Sequence, residues 1–397
     1  MGTKQRIPGA DIMKYDLNLL PQDLPEVDNN QIVWCICKHG TETMNSEPKQ
    51  IFAQRIAQAR KMRGWSLREL EAQLRGGVTH AALHKYEQGR MLPGSEVLAC
   101  LSSALMQSPD FFFRAPTVSL SQIEFRKRTT LGARQETRLR ENAAGFFERY
   151  LEIEQLLGVD THFHNPLKDL VISGPEDIET AGLKLREAWE LGLGALSNVV
   201  EMLENHQVKV YELEADAAFD GFSGWAGNIP VVVLNKKLPL VRKRLTALHE
   251  LAHLVLSFPA CRLDDKQVEE LCHAFAGAAL IPEEIFRQRF GGKRSRVTVN
   301  ELAGIKADYG ISIGSILARA RQMGLITDAL HKTICIEFRK RGWHKDEPGN
   351  YVGIEHSNRF EQLLYRAVST DTVSMTKAAS LAGQSLAAFR AALQTVP

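Results

Sequence analysis

The segment from Pro239 to Phe258 is apolar on several sides, through Leu245, Leu248, Leu251, Leu254, Val255 and Leu256, yet it contains His249-Glu250-Leu251-Ala252-His253. A helix clothed in leucine nearly all round is a buried one. A carboxylate taken into such surroundings needs partners that offset the loss of water. Four residues is about one helical turn, so both imidazoles leave from one face and can grip a single zinc ion, with Glu250 beside them to activate a water. Two histidines merely satisfied by hydrogen bonds in a core helix would leave the carboxylate between them unexplained.

A catalytic zinc needs a third protein ligand and an open position. Asp264, Asp265, Glu269, Glu270 and His273 are available downstream. Val268, Leu271, Cys272, Phe275 and Ala276 form the buried side of a second helix expected over Lys266 to Leu280. Glu269 and His273, four residues apart, share one face of it, so helical phase narrows the third ligand to these two. The other would support a ligand from behind.

At 397 residues the chain exceeds what one core usually supports, so two or three domains are expected. A formal charge of +2 is too small to imply nucleic-acid binding by itself, and any such reading rests on local clustering. Six scattered cysteines fit reduced thiols, and Cys35, Cys37 and His39 lack the spacing of a zinc site. No apolar run approaches the roughly 18 residues of a membrane span, and no basic start precedes an apolar stretch. A cytoplasmic chain with no membrane partner is expected.

From Ile51 to Arg114 the pattern is a string of short helices. Gly64 ends the first, and Ser66 with Glu69 makes a capping box for the second. Leu67, Leu70 and Leu74 face inward, Gly76-Gly77-Val78 turns the chain, and Thr79 caps a third helix carrying Leu83 and Tyr86. After Pro93 a fourth follows, and Pro109 with Phe111, Phe112 and Phe113 opens a fifth. Next comes a linker with Arg126, Lys127, Arg128, Arg134, Arg138 and Arg140, leading into a long helix through Phe146, Tyr150 and Leu156. Val208 to Leu213 and Ile229 to Leu234 are β-branched runs around the Gly-rich stretch Asp220 to Asn228, which reads as an antiparallel strand pair. Phe360, Leu363, Leu364 and Ala367, then Met375 to Phe389 around Gly383, make a C-terminal helical module without a basic face.

Several stretches together look like the ImmA/IrrE family of zinc peptidases over residues 205–350. They are Phe219-Asp220-Gly221-Phe222-Ser223-Gly224-Trp225, the strand Pro230 to Asn235, His249 to His253, Glu269 to Pro282, and Arg341 to Gly349. In that family a glutamate six residues before the Phe-Ala pair is the third ligand, which the resemblance carries onto Glu269. Four residues later the family usually has Asn or Asp, where this chain has His273, so His273 remains a second-shell or alternative ligand.

Residues 51–114 resemble the XRE/Cro-type repressor domain, including Tyr86-Glu87-Gln88-Gly89-Arg90 and Pro93. In that fold the third helix enters the major groove. The resemblance places Thr79, His80, Ala81, His84 and Lys85 at the DNA, with Arg55, Arg60, Lys61, Arg63 and Arg90 on the backbone. Ala81 and Ala82 leave this surface short of hydrogen-bonding groups.

The fold expected is α+β and predominantly helical. It comprises an N-terminal extension (1–43), a five-helix XRE/Cro-like bundle (44–115), a basic and helical linker (116–180), a zincin-like domain with a small antiparallel sheet (181–350) and a helical module (351–397). The resemblances imply a homodimeric, operator-binding regulator with a zinc endopeptidase that cleaves itself or a locally encoded repressor or antitoxin on a signal. The rival expectation is an antitoxin-like or stress-responsive regulator whose peptidase fold is a non-catalytic sensor or scaffold.

Overall fold

A computed structural model describes residues 47–125, 131–259, 263–344 and 346–393. The extension 1–43, Cys35, Cys37, His39, Arg126, Lys127, Arg128 and Cys261 lie outside them. The first helix, α1, covers 47–63 and stops where Gly64 takes a φ of 71°. α2 (Leu67–Gln73) begins at the expected capping box, with Ser66 Oγ accepting from the Glu69 N–H and the Glu69 carboxylate accepting from the Ser66 N–H. Thr79 caps α3 (His80–Glu87) by accepting from the Ala82 N–H. α4 (Ser95–Leu105) and a 3-10 turn at Pro109–Phe113 complete the bundle around Phe52, Ile56, Leu70, Leu83, Leu101 and Phe112. Arg60 of α1 grips Glu87 at the end of α3 with hydrogen bonds of 2.7 and 2.9 Å, fixing the angle between the two helices.

The stretch after the bundle holds the expected long helix, α5 (Ala133–Leu156), and a strand that its sequence does not announce, β1 (Leu120–Phe125). α5 touches the bundle, the sheet and the C-terminal helices. Arg55 of α1 pairs with Glu148 at 2.7 Å, and Asn142 donates to the Met62 carbonyl at 2.9 Å. Leu139, Ala143 and Phe147 lie on the sheet, while Tyr150 and Ile153 lie on the C-terminal helices.

The sheet runs β1-β3-β4-β2, with β2 at Lys209–Leu213, β3 at Gly221–Ala226 and β4 at Ile229–Asn235. This corrects the expected strand pair. β2 and β4 are neighbours, but they pair parallel, and the sheet is mixed rather than wholly antiparallel. The Gly-rich stretch expected to connect them is itself β3, antiparallel to β4 through a two-residue turn at Gly227-Asn228. That reversal points β4 the same way as β2. Gly227 supplies the positive φ, 63°, that such a turn requires. At Gly221 a Cβ would sit 2.8 Å from the Val233 carbonyl oxygen and 3.1 Å from the Thr246 methyl, so glycine is what lets β3 lie this close.

Phe222, Ala226, Val231 and Val233 pack on α5, and Val210, Val232 and Leu234 pack on the opposite layer, led by α8 (Leu240–Val255). α6 (Glu176–Ala188) and α7 (Val199–Asn205) lie between β1 and β2 in sequence and join this layer. α9 (Asp265–Leu280) packs against α8, and α10 (Glu283–Phe290), α11 (Val299–Tyr309), α12 (Ile313–Gln322) and α13 (Asp328–Lys340) enclose the same core. α14 (Arg359–Ser369), α15 (Met375–Ala382) and α16 (Leu386–Ala392) form the C-terminal module. Among the described residues no helix is long and apolar enough to cross a membrane.

Candidate metal centre

α8 buries Leu248, Leu251, Ala252 and Val255, and the same burial takes His249 and Glu250 to 0% exposure. α9 meets it so that His253 lies against Glu269 and His249 against His273, the register of an antiparallel pair. His253 Nε2 is 3.1 Å from His249 Nε2. Glu269 Oε2 is 3.4 Å from His249 Nε2, and its Oε1 is 3.3 Å from His253 Nε2. Around a zinc with bonds of about 2.0–2.1 Å the edge of a ligand tetrahedron is about 3.3–3.4 Å. Two imidazoles and a carboxylate at these separations therefore fit that ion in both donor type and spacing.

Among the described residues, the acids and histidines whose donor atoms converge in this way are His249, His253 and Glu269, all within 4.8 Å of one another. His273 is not in that set, and its ring packs on that of His249 with centroids 4.2 Å apart. The other candidates point elsewhere. Asp264 caps α9, Asp265 is exposed, and Glu270 faces Lys266 at 3.8 Å.

Hydrogen bonds from His249 and His253 hold the Glu269 carboxyl well below the usual carboxylate range. Burial works against a charge on His253, but its contacts with Cys272 and Glu269 outweigh it and push the imidazole up to about 11. Burial also pushes the Cys272 thiol up, and the His253 proton is held by the contacts with Cys272 and Glu269 together. A divalent cation would replace that proton.

Two contributors escape a reading of the sequence alone. Ser223 Oγ on β3 donates to Glu250 Oε2 at 2.9 Å, which fixes the orientation of that carboxylate. Its signal was a polar residue in phase with Gly221 and Trp225, on the strand face that meets α8. Cys272 Sγ lies 3.7 Å from His253 Nδ1 and orients that ring from behind. Tyr309, Tyr351 and His356 engage Arg289, Arg244 and Glu212 respectively.

In the bundle, Thr79, His80, Ala81, His84 and Lys85 are exposed on α3, as are Arg63 and Arg90 nearby. Lys61 is half-exposed, 3.7 Å from Glu141. Arg55 and Arg60 are corrections to the expected phosphate contacts. Arg55 is 3% exposed and donates to Gln58, Glu148 and the carbonyls of Arg114 and Ala115, so its guanidinium is enclosed by the protein rather than presented to a phosphate. Arg60 is committed to Glu87 and the Trp65 carbonyl. A cation on α1 whose helical phase points it at α5 or α3 is a clamp inside the protein.

The arrangement defines a metallopeptidase-type domain in a chain that also carries a DNA-binding type of helical bundle. The family model for the IrrE N-terminal-like domain matches residues 203–321, and that for the helix-turn-helix matches residues 56–112. The chain thus joins a domain of the XRE-type helix-turn-helix family to one of the IrrE/ImmA-like family. No curated protein matches it.

Proposed function

We propose that the chain is a DNA-binding transcriptional regulator whose peptidase domain is a zinc-dependent endopeptidase, acting on itself or on a locally encoded repressor or antitoxin in response to a signal. The observation that carries this reading is the convergence of His249, His253 and Glu269 beside a buried Glu250 held by Ser223. His249, His253 and Glu269 would hold the zinc, and the packing of His273 on His249 supports the ring from behind. Zinc bound there supplies Lewis acidity toward the scissile carbonyl and toward a water. Glu250 takes the proton of the attacking water and passes it to the leaving amine, so one water is consumed as the peptide becomes a carboxylate and an amine. On the DNA side, Thr79, His80, Ala81, His84 and Lys85 would face the major groove of an operator, with Lys61, Arg63 and Arg90 on its phosphates. A homodimer in the cytoplasm would read paired half-sites.

Metal analysis and one variant test the enzymatic half. The expected result is one zinc per chain, retained in Glu250→Gln, together with loss of cleavage of the co-expressed partner in that variant. Absence of stoichiometric zinc, or cleavage that persists in Glu250→Gln, overturns it and leaves a non-catalytic sensor. Gel shift with the chain's upstream promoter tests the other half, because phosphate-dominated binding weakens steeply with salt. Absent or salt-insensitive binding would remove the regulator reading.

A further inference from the structure

β3 is the strand that lies over the catalytic helix. Ser223 reaches Glu250, Trp225 packs into the core shared with α8, and Gly221 faces Thr246. Its inner edge is taken by β4. Its outer edge is taken by β1, the edge strand of the sheet, which pairs antiparallel as Leu120↔Ala226, Ser121↔Trp225, Glu124↔Ser223 and Phe125↔Phe222. β1 belongs to neither flanking domain in sequence, and it follows the last turn of the bundle, Pro109–Phe113, by a short connection.

Without β1 the outer side of β3 would present a row of backbone N–H and C=O groups beside Glu250. Such an edge recruits an extended polypeptide as an added strand, with backbone bonds giving affinity and side-chain pockets giving choice. A peptidase also requires its substrate extended, because a scissile amide inside a helix is not accessible to attack. The register of β1 slips between Ser121 and Glu124, so Gln122 and Ile123 together face Gly224. A bulge of this kind leaves one residue unpaired and interrupts the ladder. It falls next to Ser223.

We propose that the outer edge of β3 is the docking edge for an extended polypeptide substrate, and that the linker strand 120–125 is its resident occupant, which a substrate strand must displace. The substrate class follows: an extended segment that adds antiparallel to residues 222–226. The word substrate rests on the peptidase reading above, whereas the docking edge itself does not. The same strand tethers the DNA-binding bundle, so a partner that pulls on or binds the bundle bears on access to Glu250.

The test uses the full chain in a Glu250→Gln background and a fluorescein-labelled synthetic peptide of residues 116–125. In one variant residues 120–125 are replaced by an equal length of glycine and serine; in a second, Ser121→Pro alone interrupts the ladder. A tethered strand competes at millimolar effective concentration, so the peptide is expected to bind either variant at least about tenfold more tightly than the parent chain. Amide exchange at 223–226 should be slow in the parent, fast in the variants, and slow again with peptide. Equal affinity in all three chains, or protection that maps outside 222–226, overturns the proposal.

With Glu250 restored, a quenched form of the peptide separates the two readings. Tighter binding with no Glu250-dependent cleavage in any chain leaves the docking edge and removes the peptidase. Glu250-dependent cleavage at equal rates, with no preference of the peptide for the variants, leaves the peptidase and removes the docking edge.

Discussion

The guanidinium of Arg55 is enclosed between α1 and α5, and the carboxylate it neutralises, Glu148, also accepts from the Thr117 and Val118 N–H groups. Truncating the arginine leaves that carboxylate buried without its counter-charge, and one-sided loss of a buried pair costs about 3–5 kcal/mol. Arg55→Ala should therefore lower the urea midpoint markedly, while operator binding by the folded fraction keeps its salt slope. Lys85 is exposed on α3, and among the described residues no ion pair of this kind holds it. Lys85→Ala should leave stability within about 0.5 kcal/mol and reduce the salt slope by about 1. Salt titrations of both variants, paired with urea melts, distinguish a clamp from a phosphate contact, and a flattened salt slope in Arg55→Ala would count against the buried role. The same logic of position separates the acids of α9. Glu269 reaches both imidazoles whereas Glu270, one residue on, is exposed toward Lys266. Glu269→Gln is expected to lose zinc on dialysis against a chelator by more than the roughly 10–100-fold that loss of a supporting partner costs, and Glu270→Gln to retain it. Equal zinc retention in the two variants would remove Glu269 from the ligand set.

At the level of elements, local chemistry was legible and long-range pairing was not. The capping box at Ser66, the Thr79 cap and the shared phase of Glu269 and His273 depend on residues within one or two turns, and each has its expected geometry. β1 is a strand because β3 offers it an edge about a hundred residues further on, so nothing within 120–125 declares it. The parallel pairing of β2 with β4 likewise depends on the glycine-rich stretch forming a third strand, which needed Gly221 to tolerate the approach of Val233 and Thr246. Buried charge between elements was equally silent. Glu204 of α7 accepts from Tyr150 of α5 at 2.5 Å and from the Val210 N–H of β2 at 2.7 Å, and burial pushes its carboxyl from 4.5 up to about 7. A raised carboxyl favours folding while it keeps its proton: the contribution is full below pH 4.5 and is lost as pH rises through about 7. Glu204→Gln mimics the protonated form, so its stability relative to the parent should increase between pH 5 and pH 8. Urea melts at three pH values read this directly, and parallel curves for the two chains would show that Glu204 does not titrate in this range.

Over the whole molecule, the proposed metal donors come from two elements, His249 and His253 from α8 and Glu269 from α9, with His249 buried against the core that also holds β4 and α12 and Glu269 partly exposed. The bundle has a separate core around Phe52, Leu83 and Phe112. It meets α5 through polar contacts, Arg55–Glu148, Lys61–Glu141 and Arg134–Glu69 among them. An interface of that composition resembles a transient one, and the default for such an interface is independent motion. A ligand stabilises only the unit that it binds, by about 2.7 kcal/mol at a hundredfold excess over its dissociation constant. Chelation should therefore lower one calorimetric transition, belonging to the sheet with α8 and α9, and leave a second, belonging to the bundle, in place. Operator binding should survive the chelator for the same reason. A single transition that moves as a whole on chelation would mean that α5 welds bundle and peptidase into one cooperative body, so that metal occupancy is felt at α3. Two transitions, with only one moving, leave the strand at 120–125 as the connection through which an event at one end reaches the other.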